Sequence, residues 1–351
     1  MYINSERYRQ DVKNIAGLTL PWNKLWKQSV LLTGASGLIG TMLIDVLMEK
    51  NRKEELKCQI YAAGRNREKA WERFKDYWEN QYFQFVTLDV NAPLPLKEEV
   101  DYVIHAASNT HPKLYALDPV GSLMTNLQGT FNLLEYGRIH NLKRMLFLSS
   151  VEIYGQALHP ADIFDEKYCG YIDCNAVRAC YPEGKRAGEA LCNAYISKYG
   201  LDIVIPRLAR VYGPTMRLDD SKAMSQFLMN GLHGEDIILK SQGLQKFSYC
   251  YVGDVVQGIL YCLLKGKSGE AYNISDKRTE LLLKDIANYI AELSGQKVIF
   301  DFPDKEEQQG YSIVTVGVMD SMKLQKLGWQ PFDNLKSGIK KTLDILKEDI
   351  G

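Results

Sequence analysis

Residues 29–40 constrain this chain more than any other stretch: Ser-Val-Leu-Leu-Thr runs straight into Gly34-Ala35-Ser36-Gly37-Leu38-Ile39-Gly40. A short apolar run, suited to a buried strand, meets a glycine-spaced turn, and helical periodicity follows from Leu38 to about residue 50. In that context each glycine has a steric task. Gly34 permits the tight turn, Gly37 lets backbone approach a pyrophosphate, and Gly40 allows close helix–strand packing. The pyrophosphate would sit at the helix N-terminus, where free N–H groups and the dipole favour negative charge. Ser36, Leu38 and Ile39 complete this cradle. The stretch reads as a dinucleotide site.

Strand-like runs recur at 58–63, 83–88, 101–106, 143–149 and 201–206, with helical stretches at 66–80, 119–141 and 183–199. The strands are continuously apolar rather than alternating, which implies a parallel sheet covered on both faces. The expected fold is therefore α/β, a Rossmann-type doubly wound parallel sheet with a smaller C-terminal substrate lobe. Residues 1–28 read as a helical extension, 29–213 as the dinucleotide-binding domain with the catalytic motifs, and 214–351 as mainly a substrate-binding lobe with returns to the main sheet. In the extension, Trp22 and Trp26 fall on one helical face after a turn at Leu20-Pro21. Packing against the main body is the plain expectation for that face, and a role near the cofactor or a partner subunit the alternative.

The charge balance excludes some functions. Lys and Arg number 43 against 43 Asp and Glu, so no basic excess points to nucleic acid or a membrane surface. No apolar run approaches the roughly 18 residues needed to span a bilayer. The N-terminus is polar and lacks a signal-peptide pattern. Seven cysteines are scattered without a CxxC pair, which suits a reducing cytoplasm and matches no common metal spacing, so no metal is expected.

The second strand ends in Gly64-Arg65-Asn66, with no acidic residue to accept hydrogen bonds from a ribose 2′-OH. Arg65 would meet a 2′-phosphate instead, which favours NADP over NAD. Asp89, followed by Val90, ends the third strand where an adenine amino group would lie. Ala106 and Ala107 end the fourth with small residues where a cofactor must pass close.

Two further motifs carry chemistry. Ser149-Ser150-Val151-Glu152 follows a strand, and Tyr181-Pro182-Glu183-Gly184-Lys185 opens a helix. Tyr181 and Lys185 stand at i and i+4, on one helix face. Pro182 is tolerated only in the first turn, so Tyr181 lies at the helix start. A nearby ammonium and an oxidised nicotinamide would both favour phenolate and lower the Tyr181 pKa. Ser150 would hold the same substrate hydroxyl.

With these motifs in this order, the chain resembles the extended short-chain dehydrogenase/reductase family, the nucleotide-sugar epimerases, dehydratases and decarboxylases. Arg178 to Arg186, Thr125 to Asn132, Tyr212-Gly213-Pro214, Phe227 to Glu235 and Leu327 to Pro331 are most similar to the UDP-glucuronate decarboxylase (UDP-xylose synthase) pattern. The resemblance implies a catalytic set of Ser150, Tyr181 and Lys185, of which Tyr181 and Lys185 also contact the cofactor, and Asn126 as structural or substrate support. It implies a transient 4-keto intermediate, a recycled nicotinamide cofactor and a homodimer built on 119–141 and 183–199. Glu152 stands where dehydratases and the decarboxylase carry an acid, and would act as base or position the reacting group.

Two positions depart from the family. Phe247 and Gly317 fall where relatives place arginines that grip the substrate diphosphate. Phenylalanine offers phosphate no charge-assisted bond. Arg210, Arg217 and Lys246 are the nearby replacements, and Ser108 lies on a loop that borders substrate in relatives, together with His111 and Tyr115. The departures leave two alternatives open: an NADPH-dependent reductase or dehydrogenase of a nucleotide-linked or phosphorylated polyol, and a non-catalytic cofactor-sensing binding protein.

Overall fold

The computed structural model describes residues 2–350 apart from 55, 95, 97, 98, 111 and 303–313. After an N-terminal helix α1 (Glu6–Ala16), strands form where the apolar runs fall: β1 (Ser29–Thr33), β2 (Gln59–Gly64), β3 (Phe83–Thr87), β4 (Tyr102–His105) and β5 (Arg144–Phe147). Every residue of β1 and β4 is buried, as two covered faces require. Between the strands run α2 (Leu38–Glu54), α3 (Arg67–Phe74), α4 (Pro112–Leu117) and α5 (Pro119–Ile139). The expected helix over 66–80 stops at Phe74, and a single 3-10 turn, Lys75–Tyr77, follows. Asp118 caps α5 by accepting the Gly121 N–H at 2.8 Å, with Pro119 in the first turn.

Next come β6 (Ser149–Ser150), α6 (Cys180–Tyr199), β7 (Ile203–Leu208) and β8 (Arg210–Tyr212). The C-terminal part contributes α7 (Ala223–His233), β9 (Ile237–Leu239), β10 (Lys246–Phe247), β11 (Tyr249–Tyr251), α8 (Val252–Lys265), β12 (Ala271–Ile274), β13 (Leu281–Leu282), α9 (Leu283–Ser294), β14 (Val298–Phe300) and β15 (Val316–Gly317). The main sheet has the order β12-β7-β5-β4-β1-β2-β3, with β6 joined to β7. All its pairings are parallel. Chain order reverses at β1 and β4, so their C-terminal ends open the crevice where doubly wound sheets bind ligands. Three small sheets, β13-β10-β15, β11-β8 and β14-β9, complete the topology, and β8, β9, β10, β11 and α7 give residues to the cleft wall.

The N-terminal extension packs on α2, α8 and the C-terminal helix Leu335–Ile350. Tyr8 and Tyr77 both donate to Asp45, buried on α2. The two tryptophans do not share a packed face. Trp22 is buried, whereas Trp26 is 52% exposed. The segment is only a 3-10 turn, Trp22–Leu25, and Trp26 lies beyond it in extended conformation.

Candidate functional site

The crevice at the sheet's switch point continues into a cleft of ≈ 850 Å³. Its floor is the glycine turn. Gly34 has φ 69°, and a Cβ there would lie 2.9 Å from the backbone of Ala106 and Ala107. At Gly40 a Cβ would meet the Gly34 and Ala35 carbonyl oxygens at 2.5 and 2.6 Å. The Thr33 hydroxyl accepts the Ala107 N–H at 3.1 Å and lies 2.9 Å from His105 Nδ1, tying the ends of β1 and β4. This cradle, closed to any side chain and placed at the start of α2, fits the pyrophosphate of a dinucleotide. Gly34, Ser36, Gly37, Leu38, Ile39, Gly40, Arg65, Asp89, Val90, Ala106 and Ala107 all line the cleft.

Ser150, Glu152, Arg178 and Tyr181 line it further along. Tyr181 is the second residue of α6 with Pro182 behind it, so it sits at the helix start as its sequence requires. The Ser150 hydroxyl accepts the Glu152 N–H at 3.3 Å and is near enough to the Tyr181 phenol to draw its pKa down. Lys185, one turn along α6, is buried and donates to the Leu148 carbonyl at 2.8 Å. Burial pulls its pKa down to about 8, partly opposed by Glu189. Glu189 itself is held by Arg207 in a bidentate pair at 3.0 and 2.6 Å.

The Tyr181 pKa does not follow the expected lowering. Burial first, and the Glu152 charge second, push it up to about 12, while Ser150 and Arg178 pull the other way. Lys185 is not among the groups acting on it, because its ammonium is turned to the Leu148 carbonyl. The remaining expected lowering is that of an oxidised nicotinamide.

Arg178 was not singled out as a site residue. It precedes Tyr181 by three residues, and a 3-10 turn, Val177–Ala179, delivers it. Its Nη2 donates to Glu152 Oε2 at 2.6 Å, and its guanidinium lies 4.2 Å from the centroid of Tyr115 and 5.9 Å from that of Tyr181. Nε and Nη1 are buried without partners. The one available signal was helical spacing from Tyr181; Tyr115 and Glu152 are distant in sequence.

The candidate substrate residues divide. Ser108 and Arg210 line the cleft. Asn126 does not: it is buried behind Ser108, accepting the Ser108 hydroxyl at 2.9 Å and donating to the Ser122 carbonyl at 2.9 Å. Lys246 is turned away, since alternation along β10 gives the cleft Gln245 and Phe247 and sends Lys246 to Glu280 at 3.4 Å. Arg217 is also outside the lining, paired bidentately with Asp219 at 2.8 and 2.6 Å. Tyr115 is buried with its ring 5.1 Å from Tyr181, and His111 lies outside the described residues.

A glycine cradle at one end of a cleft and a half-buried Ser150 with the buried Tyr181 at the other match a known family. A sequence profile described as the NAD dependent epimerase/dehydratase family covers residues 30–275. The chain belongs to this family. It is accordingly an enzyme of the extended short-chain dehydrogenase/reductase type. UDP-glucuronic acid decarboxylase 3 of Arabidopsis thaliana is 32% identical over 325 residues, covering 91% of this chain and 88% of that one. In fold the chain is similar to the dTDP-glucose 4,6-dehydratase DesIV of Streptomyces venezuelae, solved with NAD (TM-score 0.78, 23% identity, 92% of this chain and 97% of that). It is likewise similar to UDP-glucuronic acid 4-epimerase of Bacillus cereus, solved with UDP-glucuronic acid and NAD (TM-score 0.77, 22% identity, 91% and 99%). The preference for NADP drawn from Arg65 gains no support, because the family is NAD dependent and these neighbours hold NAD. Among the described residues no helix is long and apolar enough to cross a membrane.

Proposed function

We propose that the protein modifies a nucleotide-linked sugar by transient oxidation at C4, retaining and recycling its NAD. The observation that carries this reading is the buried Tyr181 phenol sharing with Ser150 the cleft that holds the glycine cradle. NAD, held over Gly34–Gly40 with Asp89 and Val90 toward its adenine end, supplies a reversible hydride acceptor. Tyr181, as the phenolate that an oxidised nicotinamide beside it would favour, takes the proton of the sugar C4 hydroxyl, and Ser150 holds that hydroxyl in line. Lys185 holds the α6 end of the site, and its ammonium titrates near physiological pH. A C4 ketone acidifies the adjacent carbon or labilises a carboxylate there.

Glu152 is then the group placed to move that second proton or hold the group that leaves. Its carboxylate is anchored by Arg178, which fixes its direction and suits a positioning or base role. Epimerisation, dehydration and decarboxylation share this machinery. Mass spectrometry of nucleotide sugars incubated with the NAD-loaded protein in deuterated water separates them: loss of carbon dioxide, loss of water, or deuterium gain alone. An unlabelled C4 epimer is resolved by chromatography. No turnover across UDP-, dTDP-, CDP- and GDP-sugars would overturn the reading.

A second reading, net reduction of a phosphorylated polyol, draws on Phe247 in the cleft wall where an arginine was expected. Stoichiometric consumption of reduced cofactor would favour it. A homodimer through α5 and α6 belongs to the first reading. The two helices pack together, and α5 exposes Val120, Met124 and Phe131; sedimentation at the mass of one chain would exclude it. The seven free thiols suit a reducing compartment.

A further inference from the structure

Phe247 and Gly317 looked like two separate losses of cation from the substrate site, and the structure joins them. β10 pairs with β15 in parallel, with Phe247 opposite Gly317. A Cβ at Gly317 would lie 2.8 Å from Phe247 Cδ1, so only glycine leaves room for the ring where it is. On the cleft wall, the Arg210 guanidinium lies 3.7 Å from the centroid of that ring. The backbones are tied through one residue: Arg210 N donates to the Ser248 carbonyl at 3.1 Å, and Ser248 N donates to the Gly317 carbonyl at 3.0 Å.

Arg210 differs from the other candidate cations. Arg217 and Lys246 are each neutralised by a carboxylate. Arg210 has no ion pair among the described residues, and its Nε is buried without a hydrogen-bond partner. An aromatic face stabilises a guanidinium but accepts none of its in-plane hydrogen bonds. A half-buried, unpaired guanidinium is unfavourable unless its donors meet an anion.

We infer that Gly317, Phe247 and Arg210 form one unit, a glycine floor and an aromatic plate that present the Arg210 guanidinium to the diphosphate of the substrate. The inference rests on the nucleotide-sugar reading above. Arg210 is the anion-binding residue, and Phe247 and Gly317 are positioning residues acting through it. The chain thus carries its phosphate grip on β8 rather than on β10 and β15.

The test is calorimetric titration of the NAD-loaded protein with UDP, dTDP, CDP and GDP, then with UDP-glucose and UDP-glucuronic acid. Arg210→Ala weakens the best-bound diphosphate and its sugar alike, by roughly 10- to 100-fold. Phe247→Leu and Gly317→Ala each weaken it by roughly fivefold, while Phe247→Tyr, which keeps the ring, binds like wild type. In the Arg210→Ala background Phe247→Leu has no further effect, a non-additivity that a merely structural role would not produce. Retained NAD and unchanged melting show that each variant is folded.

Arg210→Ala binding every probe like wild type, or Phe247→Leu losing the same affinity with and without Arg210, overturns the inference alone. Weakening confined to UDP-glucuronic acid would move the guanidinium to a sugar carboxylate and overturn the diphosphate assignment. Wild type that holds NAD but binds none of the four diphosphates overturns the nucleotide-sugar reading, and this inference with it.

Discussion

Gly34→Ala tests the cofactor cradle at its tightest point. Two separate penalties meet there. The φ of 69° lies in the left-handed region, where an alanine costs about 1–2 kcal/mol. The new methyl would also sit 2.9 Å from three backbone atoms of Ala106 and Ala107. Those atoms cannot retreat cheaply: β4 is paired on both sides, and the Ala107 N–H is held by Thr33. Overpacking of this kind costs about 1–3 kcal/mol. The sum, about 2–5 kcal/mol, is relieved by opening the turn between β1 and α2, which is the movement that spoils the pyrophosphate site. The variant is expected to purify with little NAD, to bind added NAD at least ~30-fold more weakly, and to keep wild-type helical content by circular dichroism. Wild-type NAD occupancy together with wild-type melting would refute the steric argument and the assignment of this turn as the cradle.

Other perturbations have equally definite outcomes. Tyr181→Phe removes the proton acceptor and is expected to lower kcat by ~10²–10⁴-fold with NAD binding unchanged; wild-type turnover would remove Tyr181 from the chemistry. Glu152→Gln keeps an oxygen for Arg178 but leaves that buried cation uncompensated, and it should reduce turnover at least ~10-fold while taking away a charge that raises Tyr181. Full turnover would sink the role given to Glu152. Lys185 titrates near 8, so the ammonium is present below that pH and lost above it. The rate should fall on the alkaline side, and a Lys185→Met profile should lack that limb. Burial raises Asp45 from 3.8 to about 7, against the hydrogen bonds from Tyr8 and Tyr77. The native state therefore holds the extra proton between those values, and stability declines as pH rises from about 4 to 7, by at most ~4 kcal/mol. Asp45→Asn should raise the melting temperature at pH 8 and lose the advantage near pH 5; the same gain at both pH values would contradict this.

What the sequence disclosed and what it withheld follow from range. The glycine turn was legible because strand period, glycine spacing and helix period sit in one continuous stretch. Tyr181 and Lys185 were legible because i and i+4 on a helix need no tertiary knowledge, and Pro182 fixed the helix start. Most strands of the main sheet were legible as short apolar runs, β1 and β4 most plainly because burial on both faces leaves no polar alternation, whereas β12, added from the C-terminal part, was not read. The substrate wall was not. Whether Lys246 or Phe247 faces the cleft depends on the register of a two-residue strand, which no periodicity reports. Arg178 owes its place to Tyr115 and Glu152, and Arg210 to Phe247 and Gly317. Each meets its partners only through long-range packing. Tyr181 shows the same limit in its chemistry, because burial raises it and the cation expected to lower it is turned to the Leu148 carbonyl.

The central claim is that the cofactor takes a hydride from the sugar and gives it back. A nucleotide sugar accepted by the enzyme, carrying deuterium at C4, decides it by mass spectrometry of product and cofactor after many turnovers. The account predicts that the deuterium stays in the product and that NAD is not consumed. Deuterium accumulating in reduced nicotinamide, one per turnover, would contradict it.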